Sequence, residues 1–412
     1  MVRAIGTLGL SSAIVNLTIG AGIFRLPASV AASLGFAAPI AYLTCAVAMG
    51  LIVWCIAEAG KRVSSTGGPA AYVAVALGGY PGFLAGILLW MLGTFATAAV
   101  STVIAAGLGQ LMPALSGRAG QLGVIAVVFT FWTAVNLRGV AAGSRLVTAA
   151  TVAKLVPLLV VAVGGLPFVH PAYLRVDHLP PAGDLARASF LLVFAFSGVE
   201  SALVPSGEVR DPSRTVPRAI VIAMTGVTVL YITLQIVAQG ILGPQLARAT
   251  SAPLADAASL SLGGWARLLV LWGATISTFG HLGGMTLAIS RIVYALAGDG
   301  YLPRVLATVH SGRRVPHVAI VAQAALAFAL AASGTFEQLA SLGNVSALAL
   351  YLGCAVAAWK MGGRAVVPVL AGLIIAWLLT GLTWPEWLAF GICIALATLA
   401  YVVRARTMTP QP

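Results

Sequence analysis

Apolar runs of about 20 residues recur along this chain from one end to the other. A run of that length crosses the hydrocarbon core of a bilayer as one helix. Only 8% of the 412 residues are charged and 60% are hydrophobic, and the mean hydropathy is +1.02. A soluble protein carries about 25% charged residues, so a soluble globular fold is excluded. The chain is predicted to be an all-α polytopic membrane protein.

Twelve spans are predicted where charged or Gly/Pro-rich breaks separate the apolar runs. We expect residues 1–404 to form a single transmembrane domain and 405–412 a short cytoplasmic tail. The stretch 64–80 is too short and too rich in glycine to cross, and is predicted to form a re-entrant or interfacial helix. The predicted spans are, approximately, residues 6–34, 37–58, 82–111, 121–137, 145–168, 186–204, 217–242, 265–296, 316–334, 338–359, 365–383 and 387–403.

The basic residues predict how these spans are oriented. If the N-terminus is cytoplasmic, sixteen of the 23 Lys and Arg residues lie in inner loops and five in outer loops, with Arg25 and Lys154 inside spans. This bias follows the positive-inside rule and predicts a plasma-membrane protein with both termini cytoplasmic. The net charge of +13 is therefore an orientation signal, and no nucleic-acid partner is expected.

The sequence predicts no disulfide, metal or cofactor. Cys45, Cys55, Cys354 and Cys393 lie in apolar runs, without the CxxC or His spacing of a metal site. Residues 1–33 imitate a signal peptide, but a glycine-rich break interrupts their apolar run, which argues for a membrane span.

Two spans contain small-residue interruptions near mid-membrane depth. Span one holds the run TIGAGIF at 18–24, and span six holds FAFSGVE at 194–200. Close helix packing is an alternative explanation for the first run alone. Because span six lies five spans after span one, however, the pair fits an inverted repeat whose two breaks face one transport site. Unwinding frees N–H groups on one half-helix and C=O groups on the other, which suits a zwitterionic amino acid.

Three motifs identify a family. The runs GAGIFRLP at 20–27, AEAGKRVSSTGGPAAYV at 57–73 and FAFSGVESALVPSGEVRDPSRTVPRAI at 194–220 resemble those of amino acid–polyamine–organocation (APC) superfamily transporters, notably the arginine/agmatine-antiporter-like and L-type amino acid transporter-like members. The resemblance covers essentially the whole chain. It implies a LeuT-type fold of five-plus-five inverted repeats with helices 1 and 6 unwound. The repeats would be about 6–168 and 186–359, with two extra C-terminal helices at about 365–403.

The resemblance also implies where the substrate binds. The N–H groups of Ala21 and Gly22 would bind the carboxylate, and the carbonyls of Thr18, Phe194 and Ser197 the amino group. Phe194 matches an aromatic gate. Met285 stands where antiporter members have a tryptophan, which argues against an arginine-like substrate. The other predicted lining residues are Gly20, Ile23, Ala195, Gly198, His281, Asn344 and Thr94; a lone histidine is more often a hydrogen-bonded core residue.

Lys154 is the most informative charge inside a span. A charge at the bilayer centre costs at least about 2.5 kcal/mol, and no acid lies within one helical turn. Snorkelling to an interface is the alternative. The resemblance implies that its ammonium occupies a sodium position and bridges the unwound part of span one to Ser277 and Thr278 in span eight. We expect Lys154 to couple transport to protons or to stabilise one conformation.

Glu200 and Arg25 each allow two interpretations. Glu200 follows the second break, where its carboxyl either carries a proton or permanently caps the broken helix. Arg25 lies one turn after the first break and either attracts carboxylates in an outer vestibule or extends to the interface.

Other classes of membrane protein fit less well. Retinal-type pumps have seven spans and their lysine in the last. The chain lacks the HExxH and GxSxG motifs of membrane enzymes and a repeated filter motif of channels. The sequence therefore predicts no enzyme but a secondary amino-acid transporter that works by alternating access, by proton-coupled symport or exchange, with neutral substrates favoured. A cationic amino acid or polyamine antiporter is the alternative, and both a monomer and a homodimer stay open.

Overall fold

A computed structural model describes residues 6–63, 68–138, 143–176, 178–202 and 209–407. These residues form sixteen α-helices joined by turns and short 3-10 segments. Residues 64–67 of the predicted interfacial helix and 408–412 of the predicted tail lie outside the described residues. The first eight helices are α1 Thr7–Thr18, α2 Gly22–Leu34, α3 Ala38–Gly60, α4 Gly68–Leu77, α5 Gly79–Leu111, α6 Arg118–Arg138, α7 Gly143–Gly164 and α8 Ala182–Phe196. The others are α9 Val199–Ala202, α10 Pro212–Leu242, α11 Pro253–Leu262, α12 Gly264–Gly298, α13 His317–Ser333, α14 Phe336–Lys360, α15 Val366–Leu379 and α16 Trp384–Thr407.

The prediction of an all-helical membrane protein with several apolar spans is confirmed. Within the described residues, seven helical segments are long and apolar enough to cross a bilayer. Several other apolar helices are shorter because a break or a turn divides their run. The seven segments are Gly22–Gly60, Gly79–Leu111, Arg118–Arg138, Arg214–Arg248, Gly264–Gly298, Phe336–Lys360 and Trp384–Arg404.

Both predicted interruptions are breaks in the helical backbone. The first lies between α1 and α2, where Ile19 leaves the helical conformation with φ −74° and ψ 88°. The second lies between α8 and α9, where Ser197 is extended with ψ 159° and Gly198 has φ +119°. A side chain rarely tolerates that positive φ, so glycine lets the chain turn sharply between the two half-helices.

The broken helices pack against each other and against longer, unbroken helices. α1 packs on α10, α2 packs on α8, and α5 packs on both α12 and α14. Gly93 lets α5 and α12 approach closely, because a Cβ at this position would overlap the side chain of Ile289. The centre of the molecule is therefore held by unbroken helices around two interrupted ones.

Two shorter helices lie in the connections. The helix predicted within 64–80 forms as α4, Gly68–Leu77. The segment between α10 and α12, which the sequence analysis treats only as a connection, contains α11, Pro253–Leu262. At the C-terminal end, a short turn joins α15 to α16, and little of α16 is buried in the described molecule.

Candidate functional site

A cavity of about 170 Å³ lies between the two helix breaks. Its walls come from α1, α5, α7, α8, α9 and α12 and from the residues of the breaks, with Ala21 at the start of α2. An apolar cavity near 150 Å³ holds a benzene molecule, so this space admits a small organic ligand. The predicted site residues that line it are Thr18, Gly20, Ala21, Lys154, Phe194, Ser197, Gly198, Glu200, Ser277, His281 and Met285.

Lys154 holds the end of α1. Its Nζ donates hydrogen bonds to the carbonyl oxygens of Asn16 and, at 2.9 Å, of Ile19. These carbonyls lie at the C-terminal end of α1, where the helix dipole is negative and intrahelical donors are missing. The ammonium is 2% exposed, and within the described residues no carboxylate pairs with it. Backbone dipoles, and not a counter-ion, accommodate this buried charge.

The predicted bridge from Lys154 to Ser277 and Thr278 of α12 is not formed by hydrogen bonds in the structure. The hydroxyl of Thr278 donates to the carbonyls of Ala274 and Thr275 on its own helix, at 2.7 and 3.2 Å. A threonine in a helix commonly bonds backward in this way. Ser277 lines the cavity, and its buried Oγ has no partner in the described part of the chain. The lysine therefore binds the α1 backbone without a hydrogen bond to either hydroxyl.

A tyrosine links the two breaks. The Tyr231 hydroxyl, fully buried on α10, lies 3.2 Å from the carbonyl oxygen of Thr18 and 3.1 Å from that of Ala195. One hydroxyl proton is thus shared between both interrupted helices. The Thr18 carbonyl also accepts the N–H of Gly20 at 2.8 Å. Thr18, expected to bind a substrate ammonium, already uses both lone pairs of its carbonyl in this arrangement.

The second break packs directly on the first. A Cβ on Gly198 would lie 2.5 Å from the carbonyl oxygen of Leu17. The N–H of Gly198 donates to both carboxyl oxygens of Glu200, each at 3.0 Å. Glu200 therefore accepts a backbone N–H at the start of α9, which is the capping interpretation of this residue. Tyr351 of α14 lies beside the same carboxyl.

Phe194 lies at the end of α8 and lines the cavity. Its ring packs edge-to-face on Phe336 with centroids 5.4 Å apart. A Cβ on Gly22 would approach the backbone of Ala195 at 2.9 Å and the Phe194 ring at 3.2 Å. The glycine thus brings the start of α2 against the end of α8. The first N–H groups of α2 lack intrahelical acceptors, and Ala21 at its start lines the cavity.

Span eight contributes a stripe of residues along α12. The imidazole of His281 approaches the first break, since a Cβ on Gly20 would lie 3.7 Å from its Nε2. Met285 lines the cavity one turn further along. On the far side of the helix, Trp132 packs so closely on Gly283 that a Cβ there would overlap its ring. The position of this cavity wall is therefore set by an aromatic contact behind it.

Several predicted site residues lie outside the cavity lining. Gly22, Ile23 and Ala195 pack at the breaks without lining it, and Thr278 faces its own helix. Thr94 accepts a hydrogen bond from the Gln323 amide at 3.0 Å. The Asn344 amide donates to the Phe190 carbonyl at 2.7 Å. The polar groups of Thr94 and Asn344, expected to contact the substrate, instead form hydrogen bonds with helices that are remote in sequence.

Sequence reasoning missed one wall of the cavity and part of another. The α5 wall consists of Leu89, Leu92, Gly93, Ala96 and Val100, and α12 adds Gly280, Gly284, Ala288 and Ile289. The α5 set follows the i, i+3, i+4, i+7 spacing of a single helix face, and so does the α12 set once Ser277, His281 and Met285 are included. That spacing was available in the sequence, but an apolar chain gives no contrast to show which face points inward.

Arg25 lies away from the cavity, one turn into α2. Its Nε is 3.6 Å from a carboxyl oxygen of Glu337, and its guanidinium lies 6.0 Å from the centre of the Phe336 ring. This position places a weak ion pair on the far side of the Phe194–Phe336 ring pair from the cavity lining.

Comparison with known proteins gives the family. A sequence model described as Amino acid permease matches residues 5–411. The chain belongs to the amino acid permease family. This permease is therefore a multi-pass membrane transporter of small molecules and not an enzyme, and the resemblance to the APC superfamily is confirmed.

Relatives of the permease differ in their transported substrates. It is 31% identical over 383 residues to an uncharacterized transporter of Mycobacterium tuberculosis, covering 89% of this chain and 84% of the relative. It is 26% identical over 439 residues to the methylthioribose transporter of Bacillus subtilis, covering 98% and 94%. It is 27% identical over 314 residues to the cadaverine/lysine antiporter of Escherichia coli, covering 75% and 70%.

Proposed function

We propose that this permease is a secondary amino-acid transporter that works by alternating access around the cavity between the two breaks. The observation that carries the proposal is that both interrupted helices contribute residues at their breaks to one cavity. Interrupted helices that face a common site are the usual arrangement of transporter binding sites. In this proposal the chain has twelve spans in a LeuT-type arrangement, with two extra C-terminal helices and cytoplasmic termini in the plasma membrane.

The substrate backbone binds to the helix ends in this proposal. The N–H groups at the start of α2, at Ala21 and Gly22, attract a carboxylate because the helix dipole is positive there. The α8 end, at Phe194 and Ser197, presents carbonyl oxygens to an ammonium. Phe194 closes over the bound molecule as a gate, since its ring both lines the cavity and packs on Phe336.

The chemistry of the lining favours a neutral side chain. Glu200 is the one acid among the described lining residues, and its two carboxyl oxygens already accept the Gly198 N–H. A cationic side chain would lack a free carboxylate to pair with, and burial of an unpaired charge is costly. The volume of about 170 Å³ favours a small or medium-sized amino acid.

Lys154 couples this site to the transport cycle in the proposal. Its ammonium donates to the Asn16 and Ile19 carbonyls and stabilises the end of α1. Loss of a proton from this ammonium during the cycle would weaken both hydrogen bonds, loosen α1 and favour a change of conformation.

The test is a thermal-shift screen of the purified protein against all amino acids and common polyamines. Hits are then assayed for uptake into proteoliposomes, with and without a proton gradient and with internal amino acid for exchange. We expect neutral amino acids to raise the unfolding temperature and to be transported. Uptake of lysine or cadaverine alone would favour the cationic antiporter. Transport of no amino acid or polyamine would refute the proposed function.

A matched pair of variants locates the binding site. Gly284 lines the cavity, and a Cβ there meets no atom within 4 Å, so the side chain of Gly284→Val begins in open space and takes up part of the cavity. Gly226 of α10 also has open space around a Cβ but lies outside the lining. Gly284→Val should abolish uptake while Gly226→Val preserves it. Equal uptake by the two variants would place the substrate elsewhere.

A further inference from the structure

An ion pair joins α8, the first half of broken span six, to the start of α16. Arg187 of α8 and Glu386 of α16 form two parallel hydrogen bonds, with Nη1–Oε2 at 2.7 Å and Nη2–Oε1 at 3.0 Å. The two side chains are 30% and 13% exposed. Paired bonds of this kind fix the relative orientation of their partners as well as their distance.

Both members of the pair are held in place by backbone groups. Glu386 Oε2 also accepts the N–H of Thr383 at 2.7 Å, at the start of α16. Arg187 Nη1 also donates to the carbonyl of Gly381 at 3.0 Å. A Cβ on Gly381 would lie 2.8 Å from the Arg187 Cα, so the turn between α15 and α16 packs directly on the α8 backbone. Because backbone groups fix both side chains, this ion pair is more rigid than an ordinary surface ion pair.

α14 holds the same helix nearer to the break. The Asn344 amide donates to the carbonyl of Phe190 at 2.7 Å, one turn before Phe194. The Arg187 guanidinium lies 5.7 Å from the centre of the Phe190 ring. Arg187, Phe190 and Phe194 therefore follow one stripe of α8, at i, i+3 and i+7. A displacement at Arg187 would be transmitted along this stripe to the end of the helix at the cavity.

We propose that Glu386 is a positioning residue for the substrate site, and that it acts through Arg187 by holding α8 against the start of α16 and the turn that precedes it. The two C-terminal helices would thus hold α8, the first half of the broken span, in position. The expected change in KM rests on the proposed transport function. The expected change in the mobility of α8 does not. A site that is already held in its binding geometry loses less free energy on ligand binding.

Releasing α8 should therefore weaken substrate binding more than it slows turnover. Glu386→Gln keeps the size of the side chain but removes the charge. Arg187→Met keeps the apolar stem over Phe190 and removes the guanidinium. We expect each variant to raise KM by about fivefold, with Vmax changed by less than about twofold. The double variant should match the single ones, because both changes break the same contact.

The measurements are uptake kinetics in proteoliposomes and hydrogen–deuterium exchange of the peptide covering α8, on the full-length protein. Glu58→Gln is the control, since Glu58 of α3 also accepts from two basic side chains, Lys61 at 2.8 Å and Arg62 at 3.3 Å. Faster exchange in α8 with a raised KM, absent from the control, supports the proposal.

Three results would overturn it: an unchanged KM in both single variants, additive effects in the double variant, or an equal rise in KM for Glu58→Gln. If the wild-type protein transports no amino acid, the proposed function fails and the exchange measurement decides alone. Accelerated α8 exchange in Glu386→Gln then supports the attachment, and unchanged exchange refutes it.

Discussion

Gly198 lies so close to Leu17 that the two broken helices share one contact. A Cβ on Gly198 would stand 2.5 Å from the Leu17 carbonyl oxygen, and the glycine itself adopts φ +119°. Close approach and backbone conformation both demand glycine at this position. The geometry of the site therefore requires a residue without a Cβ atom at position 198.

Gly198→Ala should separate the two breaks. We expect a loss of stability of about 1–3 kcal/mol and a strong loss of uptake, measured by thermal unfolding and proteoliposome assays. Gly50→Ala on α3 is the control, because a Cβ there meets nothing within 4 Å, and it should leave both measurements near wild type. Normal uptake by Gly198→Ala would show that the contact does not govern the site.

Lys154→Ala removes the donor to the Asn16 and Ile19 carbonyls. Because buried carbonyls are left without a partner, we expect uptake to fall by at least about tenfold. Lys61→Ala, which breaks a partly exposed ion pair at the end of α3, should have little effect. Full, pH-dependent uptake by Lys154→Ala would eliminate the coupling role.

Glu200→Gln separates a cap from a proton carrier. Glutamine keeps an oxygen that can accept the Gly198 N–H, so a cap survives the change. We expect uptake within about threefold of wild type and the same pH profile, whereas Glu200→Leu should lose activity. A flat pH profile in Glu200→Gln would instead assign proton carriage to this carboxyl.

Tyr231→Phe removes the hydroxyl shared by the Thr18 and Ala195 carbonyls and keeps the packing of the ring on Phe196, whose centroid is 5.2 Å away. The expected loss of stability is about 1 kcal/mol, seen as a lower unfolding temperature, together with a higher KM. Tyr294→Phe, at an exposed position, should change neither. Wild-type stability and KM in Tyr231→Phe would show that the link is dispensable.

Asp256 on α11, outside the apolar spans, should make the free energy of unfolding depend on pH. Burial raises the pKa of this carboxyl above its ordinary value, an effect that Arg267 at 3.8 Å partly opposes. The folded state then binds the proton more readily than the unfolded state, so the stabilising contribution is full below the ordinary pKa of about 3.9 and is lost as pH rises through the folded pKa.

Asp256→Asn should therefore raise the unfolding temperature slightly at neutral pH, and the difference from wild type should shrink as pH falls toward the ordinary aspartate pKa. Thermal unfolding across that pH range is the measurement. A lower unfolding temperature of the variant at neutral pH would show that the Arg267 pair outweighs the cost of burial.

Much of the fold was predictable because a bilayer permits few backbone conformations in a segment that crosses it. Without water, a spanning segment must satisfy its own backbone hydrogen bonds, so a long apolar run predicts a helix. The breaks were predictable too, because Gly20 and Gly198 interrupt apolar runs five spans apart. Both are local properties of the chain, and the backbone breaks of the structure lie at these positions.

Partners across the fold were not predictable. Thr94 and Asn344 are polar residues on apolar helices, and their hydroxyl and amide bond to Gln323 and Phe190, 229 and 154 residues away. The Arg187–Glu386 pair spans 199 residues. Helical periodicity fixes which residues share a face, but in a chain that is apolar all round it does not fix which way that face points.

The sequence by itself determined that this protein is a helical membrane protein with two broken helices, because low charge, run length and glycine placement act locally. Only the tertiary structure decided that Lys154 donates to the Asn16 and Ile19 carbonyls, that Tyr231 joins both breaks, and that Glu386 pairs with Arg187 of α8. The reason is physical: a buried polar group must find a partner, and helix packing alone decides which distant group comes within reach.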